Sequence, residues 1–235
     1  VSAPAAALPN LVIAIDGPAA SGKSTVARLV AARLGGIYVN TGDMYRAVTW
    51  VAQSAGIRPA EEPAGVAALL AGLDLHYGLR AGEPVLLLKG EPVPQAAIRA
   101  PAVAADVSHV AKIPAVREWL LGRQRETRRL GLVVMEGRDI GTVVFPDAPF
   151  KFFVTAAPEV RARRRLLQAG ETADGATVAS VAAEIAERDR LDSTRAVAPL
   201  RPAADAVVID TDALTAAAVA ERIAACVRAG LGRGN

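Results

Sequence analysis

An apolar run from Leu11 to Ile15 stops at Asp16 and opens directly into Gly17-x-x-x-x-Gly22-Lys23-Ser24. That spacing marks a phosphate-cradling loop, whose small residues let backbone N–H groups turn inward around phosphate oxygens without Cβ interference. Val12, Ile13 and Ile15 suit a buried strand, and Thr25 to Leu34 continues with helical periodicity. The loop therefore lies between strand and helix, where the helix N-terminus adds its own field to anion binding. Gly17, Pro18, Ala19, Ala20, Ser21, Gly22, Lys23, Ser24 and Thr25 are the candidate ligands of a nucleoside triphosphate. Lys23 would act as a mobile point charge on the β- and γ-phosphates, and the Ser24 hydroxyl suits Mg²⁺. The plain alternative is a chance Gly/Ser-rich turn, against which strand, loop and helix all agree.

A chain of 235 residues buries one good core and a small inserted module, but not two large domains. The mean hydropathy of +0.28 and the 52% hydrophobic content reflect abundant alanine. Charges, Pro and Gly interrupt each apolar stretch short of ~20 residues, so a soluble protein without a membrane partner is expected. The opening VSAPAAALPN carries no Lys or Arg and reads as a frayed tail on a cytoplasmic protein. The lone Cys226 excludes an internal disulfide and is expected as a small core residue on the last helix; His76 and His109 write no zinc motif. The formal charge of +3 is mild, but only four of the 27 basic residues are lysines, and Arg grips phosphate through its planar fork.

Along the chain, Ile37 to Asn40 reads as a strand, Thr41 to about Gln53 as a helix, and residues 56 to 71 as a turn and helix. The period then turns extended at Leu73 to Leu79, Val85 to Leu88 and Glu91 to Val93, a small antiparallel insert within 69 to 98. Helices follow from Pro101 to Val110 and Pro114 to Leu130. Strands at 132 to 135 and 150 to 155 deliver Glu136-Gly137-Arg138-Asp139 and an Arg-dense helix after Pro158. A flexible stretch at 169 to 175 leads to a helix ending near Arg190. A strand at 206 to 210 and a helix at 215 to 229 close the chain. The expected fold is α/β, a parallel five-stranded sheet with flanking helices, a small antiparallel β insert and a helical lid. Residues 1–68 and 113–235 would form the core, 69–112 the inserted module and 158–190 the lid.

Phosphoryl transfer rests on alignment and charge neutralisation, which arginines at several strand ends would supply. Arg46, Arg117, Arg138, Arg161 to Arg165, Arg188 and Arg195 are the candidates. Arg123, Arg125, Arg128 and Arg129 follow an exposed helical surface. A basic patch for nucleic acid is the rival reading of Arg161 to Arg165.

The strings IDGPAASGKST, NTGDMYRAV, PAVREWLLGRQR, EGRDIGTVVFPDAPFKFFVTA, EVRARRRL and ERDRLDSTRAVAPLRPAADAVVIDT, spread over residues 11 to 226, resemble the bacterial cytidylate kinases. The resemblance implies transfer of the γ-phosphoryl of ATP to CMP or dCMP with Mg²⁺, by a monomer without a nucleic-acid partner. It implies that Arg46, Arg138 and Arg195 hold the monophosphate, that Ser108, Arg117 and Asp139 read cytosine, that Arg188 and Asp192 address the ribose, and that Thr41 lines the same pocket. Arg161, Arg164 and Arg165 match lid cations near the transferring phosphoryl. Asp43 departs from the pattern, standing where the family often carries a small apolar residue; a first-turn acid complementing its helix dipole is the expectation. The alternatives are a kinase for AMP, GMP or shikimate, and a nucleotide switch or nucleic-acid-stimulated ATPase using Glu136 at Mg²⁺.

Overall fold

The computed structural model describes residues 10–168, 172 and 175–232. The expected tail over residues 1 to 9, and all of the expected flexible stretch except Thr172 and Gly175, lie outside them. The elements run β1 (Val12–Asp16), α1 (Lys23–Leu34), β2 (Ile37–Asn40), α2 (Thr41–Ser54), α3 (Pro63–Leu69), β3 (Leu75–Arg80), β4 (Glu83–Leu88), β5 (Glu91–Pro92), α4 (Gln95–Ile98), α5 (Pro101–Val110), α6 (Pro114–Glu126), β6 (Val133–Gly137), β7 (Phe150–Thr155), α7 (Pro158–Leu166), α8 (Val178–Thr194), β8 (Val207–Asp210) and α9 (Ala216–Gly232).

Five parallel strands pair in the order β2-β6-β1-β7-β8. β1 lies at the centre with every residue buried, as a parallel strand covered on both faces must be. Its side chains alternate: Ile13 and Ile15 pack with Val26 and Val30 of α1 and Val219 and Ile223 of α9, while Val12 and Ala14 face Val39, Met135, Ile140 and Phe145. The antiparallel sheet β3-β4-β5 packs Leu75, Leu86 and Val93 against Met44 and Val48 of α2, Val107 of α5 and Leu120 of α6. Among the described residues, Ala162, Val181 and Ile185 form the buried cluster between α7 and α8. Among the described residues no helix is long and apolar enough to cross a membrane.

Several expectations need correction. The helix expected to end near Arg190 runs to Thr194, because the hydroxyls of Ser193 and Thr194 bond back to the carbonyls of Asp189 and Arg190 at 2.6 Å instead of capping it. The helix expected to reach Leu130 stops at Glu126 and tightens into a 3₁₀ turn over Thr127–Leu130. Cys226 is exposed and is not a core residue; the buried stripe of α9 runs through Val219, Ala220, Ile223, Ala224 and Val227. Arg123, Arg125 and Arg128 are not merely solvated. Arg125 donates to the carbonyls of Val143 and Val144 at 3.0 Å, Arg128 pairs with Asp147 at 2.7 Å and lies over Phe145, and Arg123 lies over Trp119.

Candidate active site

The carboxyl ends of β1, β2 and β6 converge on one edge of the sheet, where open parallel sheets hold ligands. β1 ends at Asp16, and the chain turns through Gly17, whose φ of 154° and close approach to β7 exclude any side chain: a Cβ there would lie 2.0 Å from the carbonyl oxygen of Val154. Gly22, left-handed at φ 89°, starts α1 and leaves its first amides facing the loop. Asp16 does not point into that loop. Its carboxylate accepts from the backbone N–H of Ile140 and Gly141, both at 2.8 Å, and so holds a π-type turn over Ile140–Val144 directly behind Arg138 and Asp139. Burial pushes this carboxyl up to about 7 even though those two amides pull it down.

A cleft of about 240 Å³ opens above the loop. Ala19, Ala20, Gly22, Lys23, Ser24 and Thr25 form one wall, and Arg46, Arg99, Arg138, Arg165 and Arg188 approach from the others. Lys23 is buried and its Nζ donates to the carbonyl of Pro18 at 2.8 Å. Burial, then the charge of Arg138, pushes its pKa down to about 7. The arginines show the same strain: burial and a neighbouring guanidinium lower Arg46 and Arg165 to about 10 and Arg188 to about 9. All three guanidinium groups stay charged at neutral pH, so the cleft concentrates positive charge in partly desolvated surroundings. Arg188 Nε is buried without a hydrogen-bond partner among the described residues, an unmet donor on a residue that lines the cleft.

Beside the cleft, Thr41, Tyr45, Ser108, Arg117, Asp139, Asp192 and Arg195 line a smaller compartment, shared with Arg138 and Arg188. A chain of ion pairs organises it. Arg117 is bonded to Asp139, and Arg195 lies 3.6 Å from Asp139 and 3.8 Å from Asp192. Asp192 in turn accepts from Arg138 Nε at 2.8 Å. Burial opposes ionisation of Asp192, but Arg138, Arg188 and Arg195 outweigh it and hold the carboxyl below its usual range. Thr41 donates from Oγ1 to the carbonyl of Glu136 at 2.8 Å, fixing the start of α2 against β6.

Of the three arginines expected on the acceptor phosphate, Arg46 and Arg138 face the cleft with Lys23, whereas Arg195 sits in the adjoining compartment with its Nε donating to Ala198. The lid arginines separate in the same way. Arg165 lines the cleft. Arg161 donates to the carbonyls of Ala156 and Ala19 and pairs with Asp189. Arg164 donates to the carbonyl of Ser21 and to Oγ1 and the carbonyl of Thr211. Those two brace the phosphate loop from behind. With Thr25, Val26, Leu214 and Val219, Arg164 and Thr211 also line a hollow of about 340 Å³ on the far side of the loop.

Arg99 is a cleft residue that no motif announced, and Asn40 one that opens the string NTGDMYRAV but was given no role. Asn40 is the N-cap of α2, its side chain accepting from the N–H of Asp43; an Asn just before a helical run is a signal for that capping role. Asp43 lies in the first turn of α2 as expected, but it is buried and paired with Arg99. Glu136 lines both compartments and accepts from the Tyr38 hydroxyl. With Ser24 it offers oxygen donors suited to Mg²⁺, and among the described residues no cluster of three metal-ligating acids, histidines or cysteines forms a dedicated cage. That donor set fits a hard cation that keeps most of its ligands from phosphate and water.

A cytidylate kinase of Pelotomaculum thermopropionicum is 50% identical over 222 residues, 93% of this chain and 96% of that protein. A bifunctional pantoate ligase/cytidylate kinase of Synechococcus elongatus is 49% identical over 219 residues, which are 90% of this chain and 41% of that protein. The chain thus spans about two fifths of the length of the two-activity relatives it matches. Among solved structures, a shikimate kinase of Bacteroides thetaiotaomicron overlays at a TM-score of 0.47, with 11% identity over 93% of this chain and 98% of its own. The family model described as cytidylate kinase matches residues 13–229, and the chain belongs to the cytidylate kinase family.

Proposed function

We propose that the protein phosphorylates CMP and dCMP at the expense of ATP. The observation that carries this reading is the convergence of Arg46, Arg138, Arg165 and Arg188 on the phosphate-loop lysine around one cleft. A single triphosphate does not need so many cations, whereas two phosphate groups brought face to face do. ATP would lie with its phosphates on the loop amides and Lys23, and its base in the hollow beside Arg164 and Thr211. The acceptor's phosphate would meet Arg46 and Arg138, its ribose Arg188 and Asp192, and its base Ser108, Arg117 and Asp139. Arg195 supports that end through Asp139 and Asp192.

Cytosine presents an amino donor beside two acceptors, which the carboxylate of Asp139 and the guanidinium of Arg117 complement. Uracil reverses two of those polarities. An acceptor phosphate is largely dianionic at pH 7, so no general base is required. One of its oxygens attacks the γ-phosphorus, the bond from that phosphorus to the bridging oxygen breaks, and ADP leaves with the electron pair. Arg165 and Lys23 neutralise charge as it moves. Ser24 and Glu136 would hold Mg²⁺ together with ATP, and the ion would supply further charge neutralisation.

Residues 69–112 are read as the acceptor-binding insert and 158–190 as a lid that closes to exclude water. The protein would act as a cytoplasmic monomer whose partners are the two nucleotides, with neither nucleic acid nor membrane. The inward bonding of Arg161 and Arg164 supports the reading without nucleic acid, since it takes two of the four arginines of α7 out of any basic surface.

An ADP-release assay with ATP, Mg²⁺ and each nucleoside monophosphate in turn tests the reading. CMP and dCMP should give the highest turnover. Preference for AMP or GMP, or ATP hydrolysis stimulated by DNA or RNA and indifferent to CMP, would overturn it.

A further inference from the structure

Arg99 reaches the cleft from the insert, one residue past the four-residue helix α4. Its Nη2 donates to both carboxylate oxygens of Asp43, at 2.8 and 3.0 Å. The two members are unequally exposed, the Arg99 side chain at 30% and Asp43 at 7%. Arg46, three residues beyond Asp43 on α2, donates to the carbonyl of Ile98, the residue just before Arg99. The first turns of α2 and the end of α4 are therefore stitched together twice. Each stitch uses a guanidinium that also lines the phosphate cleft.

An acidic side chain in the wall of an anion site is repulsive unless it serves a cation. Asp43 is buried among Arg46, Arg99 and Glu136, and its direct ion-pair partner is Arg99. A long, rotamer-rich arginine at the rim of a cleft loses conformational entropy whenever a ligand fixes it. A partner that fixes it beforehand removes that loss from binding. We propose that Arg99 is a further ligand of the acceptor's phosphate and that Asp43 is its positioning residue, holding the guanidinium at the cleft wall. The inference rests on the CMP-kinase reading and deepens it. The antiparallel insert then contributes a charge to the acceptor site as well as a wall, and the acid at position 43 becomes part of the grip.

The test measures KM for CMP and for ATP, together with inhibition by cytidine, which has the base and ribose but no phosphate. Arg99→Ala should raise KM for CMP about tenfold, the worth of one charge-assisted hydrogen bond to phosphate, and leave KM for ATP and cytidine inhibition unchanged. Arg99→Lys should restore part of the loss. Asp43→Asn, nearly isosteric but uncharged, should raise KM for CMP in the wild-type background and have a clearly smaller effect in Arg99→Ala, because its direct ion pair is with Arg99. The proposal is overturned if Arg99→Ala leaves CMP unaffected, if it weakens CMP and cytidine alike, or if the two substitutions add. Wild-type protein that fails to use CMP in the same assay would instead sink the functional reading itself.

Discussion

Lys23 shows at the scale of one residue how the site trades stability for chemistry. Its ammonium is buried beside Arg138, and its pKa falls from an ordinary 10.5 to about 7. A lysine carries charge below its pKa, so in the free enzyme the charged fraction falls as pH rises through 7. Bound polyphosphate reverses that by supplying opposite charge. We expect kcat/KM for ATP, which reports the free enzyme, to decline above about pH 7 while kcat, which reports the complex, holds to higher pH. A flat kcat/KM between about pH 6 and 9 would contradict the shift. The unfolded chain binds more protons than the folded one between 7 and 10.5, so the same shift makes the free protein more stable as pH rises through that window. Lys23→Ala should lower kcat by about 10²- to 10³-fold, while Tm stays level or rises because a desolvated cation is gone. Arg138→Ala should act on the other substrate, raising KM for CMP by about tenfold or more and KM for ATP far less; unchanged CMP saturation would show that Arg138 does not hold the acceptor. Lys23 was legible from the sequence because the loop motif fixes its place at the start of α1, and Arg138 because it directly follows a buried strand. Arg99 was not, because what brings it to the cleft is a four-residue helix after Pro94, too short to leave a period.

At the scale of elements, the alternation of strand and helix was readable because parallel strands buried on both faces leave unbroken apolar runs, and Gly and Pro punctuate them. What escaped depends on partners distant in sequence. The π-type turn after β6 is held by Asp16, 124 residues away, and nothing local to Ile140–Val144 announces it. Cys226 sits about 90° from the centre of the buried stripe on α9, where helical spacing alone is ambiguous. The phosphate loop gives the sharpest test of a local element. Gly17→Ala would drive a Cβ into the backbone of β7, a clash that no rotamer relieves. Gly35, also left-handed at φ 64°, ends α1 with nothing near its absent Cβ. Thermal unfolding should therefore rank them: about 1 kcal/mol lost for Gly35→Ala, from backbone strain alone, and roughly 2–4 kcal/mol or failure to fold for Gly17→Ala. Equal losses would mean that contact with β7 is not what selects glycine at 17.

For the whole molecule, the distribution of core decides which parts can move. The sheet and its helices share interiors built from Ile13, Ile15, Phe152 and Ile223 on one face and Val133, Met135 and Phe145 on the other. The insert is tied to α2, α5 and α6 by an equally continuous core. Among the described residues the α7–α8 unit buries just Ala162, Val181 and Ile185 in a cluster of its own, so its cohesion with the rest draws on polar bonds from Arg161 and Arg164 to the phosphate loop and from Asp192 to Arg138. A unit with few buried apolar contacts has a low opening free energy. Because its polar ties touch both proposed nucleotide sites, ligands should set that free energy. Hydrogen exchange should find the amides of α8 less protected than those of β1 and α1 in the free protein. A non-hydrolysable ATP analogue or CMP alone should slow α8 modestly, and the two together should slow it by more than the sum of their separate effects, since Arg165 and Arg188 line the cleft proposed to receive both phosphates. If the ATP analogue alone produced the full protection, closure would not depend on the acceptor, and the exclusion of water before CMP arrives would need a different cause.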